Sequence, residues 1–242
     1  MEKGAIVFLA VPEFLYNDIH RLSDSFKLDP SILIPVELQA GEDTLKAETL
    51  SLEMILSGML RVISEPAMKN IPPEWIGYYR LFVLTVKPGI FHEFTGASIV
   101  KAENGEFDMA LEISAVLEGL FPGSPGVLLN KALILESAAA ERERNGHAAE
   151  SENALALEAY ETALSLEPVL SDTLFNAAFF FMRRRDFTRA KGCLSRYIEL
   201  GEKSENSTEF SVEKIREAKK ILSEIGGLDE GSFREAYDYI NR

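Results

Sequence analysis

Residues 171–203 read SDTLFNAAFFFMRRRDFTRAKGCLSRYIELGEK, and this stretch decides the fold. Leu174, Ala177, Ala178 and Phe181 recur at three- and four-residue steps, which places them along one face of a helix. Arg185-Asp186-Phe187 interrupts that face, and Ala190, Leu194 and Tyr197 then mark a second helix with the same period. Small residues let two helix backbones approach closely, while Phe181 and Phe187 fill the space between layers. The spacing therefore predicts an antiparallel helical hairpin.

The same marks occur upstream. Ala156, Tyr160 and Ala163 precede Ala190, Leu194 and Tyr197 by 34 residues. Ala110, Pro122 and Asn130 precede Ala156, Pro168 and Asn176 by 46 residues, the same period with twelve residues added. Gly105-Glu106-Phe107 stands where Arg185-Asp186-Phe187 stands later, and Leu128, Ala132 and Leu135 correspond to the first helix of residues 171–183. The twelve extra residues fall between Leu135 and Ala156. They read as an extension of both helices of that hairpin, with a turn at Asn145-Gly146.

On these residues the segment resembles the tetratricopeptide repeat family, whose unit is a helical hairpin of this design. The resemblance covers residues 91–200 well and the C-terminus loosely, with a degenerate unit in Ser211 to Ile225 and in Phe233, Ala236 and Ile240. It implies an all-α fold, a right-handed superhelix of antiparallel hairpins with an N-terminal helical extension. It also implies three parts: residues 1–87 as a mainly helical extension or cap, 88–202 as about two and a half hairpins with the insertion in the hairpin spanning 126–168, and 203–242 as capping helices. Tyr197 stands where a small residue is usual and Gly201 where the closing proline is usual, so the last full hairpin is expected to pack against something other than another standard unit.

The first 87 residues do not share the pattern. Phe14, Leu15, Ile19, Leu22 and Phe26 share a helical face. Ala5 to Val11 and Ser31 to Leu38 are apolar and extended in character, and the two could pair as a small sheet with Pro35 confined to an edge. Leu45, Leu52 and Met59 fall seven apart, which predicts a helix from Asp43 to Ser64, and Pro73 opens another that Pro88-Gly89 closes.

Chemistry leaves little trace. The chain carries 25 Lys and Arg against 39 Asp and Glu, a formal charge of -14, which opposes attraction to phosphate backbones and anionic membrane surfaces. His20, His92 and His147 share no metal-ligand spacing. Pro122-Gly123-Ser124-Pro125-Gly126 reads as a turn and not a phosphate cradle. The lone Cys193 excludes an intramolecular disulfide and reads as a buried inert thiol. No catalytic residue, metal site or cofactor is expected, and no apolar run approaches the roughly 20 residues of a membrane span. The expected location is cytoplasmic.

What the resemblance implies about function is a concave groove, lined by the first helices, that holds a peptide or helix of a partner protein. Helical spacing puts Leu129, Asn130 and Leu133, with Glu136, on that surface in one hairpin, and Phe175, Asn176, Phe179, Met182 and Arg183 in the next. Asn130 and Asn176 occupy equivalent places, and each amide offers a donor and an acceptor to an extended peptide. The lysines with which some family members clamp a terminal carboxylate are replaced here, Thr95 and Asp172 standing at two of those places. Arg183-Arg184-Arg185, with Arg189, Lys191 and Arg196, is read either as complementing a helix dipole or as docking an acidic partner tail. The expectation is a non-catalytic protein-interaction scaffold. The alternatives are a secretion or assembly chaperone, or a small-molecule carrier or enzyme using His20, Trp75 or Tyr78 in the N-terminal region. Partner identity, a homodimer, and filling of the groove by the protein's own ends stay open.

Overall fold

A computed structural model describes residues 4–22, 26–38, 50–65, 71–203 and 212–226. The chain is mostly helical, with one short antiparallel strand pair near the N-terminus. It divides into two compact units, Met1–Asn153 and Ala154–Arg242.

In the first unit, β1 (Ile6–Leu9) pairs antiparallel with β2 (Ile34–Glu37), Phe8 opposite Pro35. A two-stranded ribbon has only edges, which is why a proline is tolerated there. Helix α1 (Glu13–Leu22) packs on α3 (Pro73–Val86), and α2 (Leu52–Ser64) lies against β2, α3 and α5 (Phe107–Leu120). The sequence pattern predicts α2 from Asp43, but Leu50 and Ser51 are not helical. Ser51 caps the helix by accepting the Met54 N–H at 3.3 Å, and Leu45 lies outside the described residues. Ser51 satisfies one of the donors a helix start leaves orphaned, and so fixes the first turn.

Two glycines set the packing of α2. A Cβ on Gly58 would fall 2.4 Å from the Pro35 carbonyl oxygen, and a Cβ on Gly119 of α5 would fall 2.6 Å from that of Ile63. Backbones touch at both crossings, so only hydrogen fits. Arg61 ties the region together through Glu37 at 2.8 Å, Glu65 at 3.2 Å and the Gly4 carbonyl. The core between these elements comprises Leu15, Ile34, Val36, Ile55, Met59, Tyr79, Phe82 and Val83, all fully buried.

Helices α4 (Ile90–Glu103) and α5 form a hairpin, and α6 (Pro125–Arg144) packs on both. Helix α7 (Glu150–Ser165) follows α6 after a short turn, and the boundary between the units falls within it. In the second unit α8 (Ser171–Arg183) and α9 (Phe187–Lys203) form a hairpin, and α10 (Val212–Gly226) packs on α9. Residues 231–240, where the sequence suggested part of a degenerate unit, lie outside the described residues.

The three turns are closed in one way. Gly105, Gly146 and Arg185 have φ of 77°, 75° and 60°. The next residue in each case, Glu106, His147 or Asp186, donates its N–H to the carbonyl five positions back at 2.8–2.9 Å. This is the Schellman closure, which satisfies carbonyls left open at a helix end. The left-handed residue recurs after 41 and then 39 positions. Against the base period of 34, seven of the twelve extra residues precede the second turn and five follow it. Helix α6, at 20 residues, is longer than α4 at 14 and α8 at 13, whereas α7 at 16 does not exceed α9 at 17. Ala110, Ala156, Ala177, Ala178 and Ala190, the small residues of the repeat, are all 0% exposed.

Candidate functional site

The first helices of the hairpins carry the residues that the sequence places on a groove, and each unit holds its own part. In the first unit these are on α6, and α4 beside it adds exposed apolar residues. Leu133 is 37% exposed on α6, and Ile99 and Val100 on α4 are 42% and 53% exposed. Leu129 and Asn130 are half-buried. The Asn130 amide donates to Ser98 Oγ at 2.9 Å, and Ser98, fully buried, donates in turn to the Thr95 carbonyl at 2.9 Å. This short relay pins α6 to α4 and fixes the amide within the hairpin layer. Ile99 and Val100 were not foreseen from sequence. Their signal was two adjacent apolar residues beside the small pair Gly96-Ala97, on a helix whose match to the repeat was weak.

In the second unit the residues gather on α8. Phe175 and Phe179 are half-buried and stack at 5.0 Å between ring centroids. Asn176 turns its amide back to the Asp172 carbonyl of its own helix at 2.8 Å. Met182 is buried and belongs to the core, while Arg183 is exposed at the helix end. The protein covers part of this face itself. Tyr197 of α9 lies 5.2 Å from the Phe175 ring, and Lys214 of α10 stands 5.5 Å above the same ring while pairing with Asp172 at 3.2 Å. Tyr197 thus contacts Phe175, and α10 packs on α9. Phe179 marks where the face continues past that cover.

The basic stretch is partly absorbed by local partners. Arg184 lies over the Phe180 ring at 5.5 Å and Arg189 over Phe181 at 4.6 Å. Arg189 also pairs with Asp186 and with Glu161, and Arg196 pairs with Glu167 at 2.6 Å. Burial raises the Asp186 carboxyl, but the backbone N–H and then the guanidinium of Arg189 together hold it below the ordinary carboxylate range.

In the N-terminal region, Trp75 and Tyr78 are half-buried and pack against the core. The Tyr78 hydroxyl accepts the Asp29 N–H at 3.2 Å, and burial pushes the phenol up from its ordinary value. The side chain of His20 lies outside what is described. A cavity of about 290 Å³ is lined by Tyr16, Ile19, Phe26, Lys27 and Leu28, without Trp75 or Tyr78. Among the described residues no group of three or more His, Cys, Asp or Glu could hold a metal ion, and no helix is long and apolar enough to cross a membrane. Burial raises the Cys193 thiol to about 11, so it stays protonated at neutral pH. Compared with known protein families, curated proteins and solved structures, the chain finds no match.

Proposed function

We propose that the protein is a non-catalytic scaffold of tetratricopeptide-like hairpins that binds a peptide or helix of a partner protein on the exposed faces of its first helices. The observation that carries this reading is the apolar surface of α4 and α6, where Ile99, Val100 and Leu133 keep 37–53% of their area in solvent. A contiguous exposed apolar patch is a mark of interaction sites, and this reading takes the three residues as parts of one. The Asn130–Ser98–Thr95 relay favours the same reading, because it fixes that surface before any partner arrives, and a pre-organised surface loses less freedom on binding. Phe175 and Phe179 supply aromatic anchors on α8, a residue type enriched where binding energy concentrates. The three identically closed turns support the family resemblance. An assembly chaperone is one form of this reading, its partner being the protein assembled.

The test is affinity capture from the native cell at moderate salt, comparing the unaltered chain with Leu133→Glu and with Phe179→Glu. Both positions reach solvent, so the fold should survive, as an unchanged far-ultraviolet circular dichroism spectrum would verify. The expected result is one or more proteins retained by the unaltered chain and lost from at least one variant. Identical captured sets for all three would overturn the reading.

A further inference from the structure

The first helices of the hairpins stand in repeat register, so each position of α4 has a counterpart on α6 34 residues later and on α8 46 residues after that. On one stripe the counterparts are covered. Val127 and Ile134 of α6 are 3% exposed, and Thr173, Ala177 and Phe180 of α8 are at most 1% exposed. The cover comes from the second helix of the hairpin before. Lys131, which lies between Val127 and Ile134 on α6, pairs with Glu118 of α5 at 2.7 Å, and the Phe180 ring lies 5.1 Å from that of Tyr160 on α7.

On α4 the same stripe is Glu93, Ala97 and Val100, and all three are exposed, Val100 by 53%. Helix α4 packs on α5 and α6, which leaves this side to solvent. Gly96 and Glu103, both exposed, border the stripe on the side of Ile99, as 3.6 residues per turn requires. A Cβ on Gly96 would meet nothing within 4 Å, so another backbone can approach there. The end of a repeat stack ordinarily turns a polar face outward. Here the middle of that face is glycine, alanine and valine, and only its two ends are charged.

The charges at those ends are uncompensated. Neither Glu93 nor Glu103 has an ion-pair partner among the described residues, and Lys101, the one lysine or arginine of α4, is held by Glu106 at 2.8 Å. A second copy meeting this helix with its own α4 would bring four glutamates together without a cation, and like charges oppose such a contact. A helix that supplies the cations meets no such obstacle, and the Lys131–Glu118 pair shows the same combination inside the protein, an apolar helix contact closed by one lysine and one glutamate.

We propose that this end of the stack docks an amphipathic helix of a partner protein, whose apolar stripe lies on Ala97 and Val100 and whose lysines or arginines, about 15 Å apart, pair with Glu93 and Glu103. The surface continues around α4 from the groove patch and shares Val100 with it. The proposal rests on the scaffold reading above and gives the partner's chemistry at α4.

Two synthetic helical peptides of about five turns test it. They share one alanine–leucine stripe, and one carries lysines, the other glutamates, at the spacing of Glu93 and Glu103. By fluorescence anisotropy with the full chain, the lysine peptide should bind about tenfold more tightly than the glutamate peptide, the effect of turning two exposed pairs from attraction to repulsion. A lysine peptide with glutamine in place of the stripe should bind at least about tenfold more weakly than its parent. Glu93→Lys with Glu103→Lys should invert the order of the first two peptides. Glu150→Lys with Glu158→Lys, exposed positions on α7 that change the net charge equally, should leave the order as it is. Val100→Glu should abolish binding of the lysine peptide with an unchanged circular dichroism spectrum. Binding of neither peptide, equal affinity for both, inversion by the α7 pair, or self-association of the chain that Val100→Glu removes would each overturn the proposal. Peptide binding of the expected order alongside cellular capture indifferent to Leu133→Glu and Phe179→Glu would support this surface and sink the groove.

Discussion

Gly119→Ala and Gly96→Ala make the same chemical change on the two helices of one hairpin and should have opposite effects. In a helix interior, alanine is favoured over glycine by about 1 kcal/mol, because glycine loses more backbone freedom on folding. Gly96 lies on α4 with nothing within 4 Å of a Cβ, so that variant should gain most of this amount. At Gly119 the new methyl would fall 2.6 Å from the Ile63 carbonyl oxygen and 2.7 Å from its Cγ2. The Ile63 contact is with backbone, which cannot swing aside, and Arg80 pins the Gly119 peptide itself by donating to its carbonyl at 2.6 Å. Helices α5 and α2 must therefore separate, at a cost of about 1–3 kcal/mol typical of overpacking. Gly119 stands one residue from the end of α5, where the propensity gain is smaller than at mid-helix Gly96, so the difference between the variants combines the clash with that smaller gain. For a chain of this length each kcal/mol corresponds to about 2–4 °C in melting temperature. Thermal melts by circular dichroism at one protein concentration and pH measure this directly. If Gly119→Ala melts at or above Gly96→Ala, then α2 and α5 do not meet backbone to backbone, and the packing of the N-terminal elements on the first hairpin is wrong.

Two further outcomes follow from the turns and the thiol. Arg185 holds φ of 60° where the equivalent residues are glycines, so Arg185→Gly should stabilise the second unit by about 0.5–1 kcal/mol, the relief of left-handed strain less the entropy of glycine. A lower denaturation midpoint for this variant would mean that the arginine side chain contributes more than its backbone costs. The Cys193 thiol, raised from 9.0 to about 11 by burial, exposes about a hundredfold less thiolate at pH 8 than an ordinary thiol, so its alkylation should be at least tenfold slower than that of free cysteine. The sign for stability follows: the folded state keeps its proton longer than the unfolded state, so stability from this group is intact below pH 9 and falls as pH rises toward 11. An alkylation rate at pH 8 equal to that of free cysteine would place the thiol in solvent.

Local chemistry determined much of the architecture. The spacing of Ala110, Ala156 and Ala190 fixes which helix faces must be buried, because only small residues allow close backbone approach. Gly105 and Asn145-Gly146 specify their turns through the one residue that enters the left-handed region without strain. Arg185 obeys the same turn against its own preference, which the repeat period revealed and its identity did not. The Ala5–Val11 and Ser31–Leu38 segments announced a strand pair by composition, whereas α2 starts later than the heptad spacing predicts because Ser51 caps it and neither Leu50 nor Ser51 is helical.

Tertiary structure alone decided which side chains meet. Asn130 and Asn176 look equivalent in sequence, yet one bonds across to Ser98 and the other back to its own helix. Lys214 is one lysine among many until α10 brings it over Phe175. Periodicity is a property of short stretches, where each residue's face follows from its neighbours. Contacts between distant stretches depend on the packing of whole helices, and no local pattern encodes them.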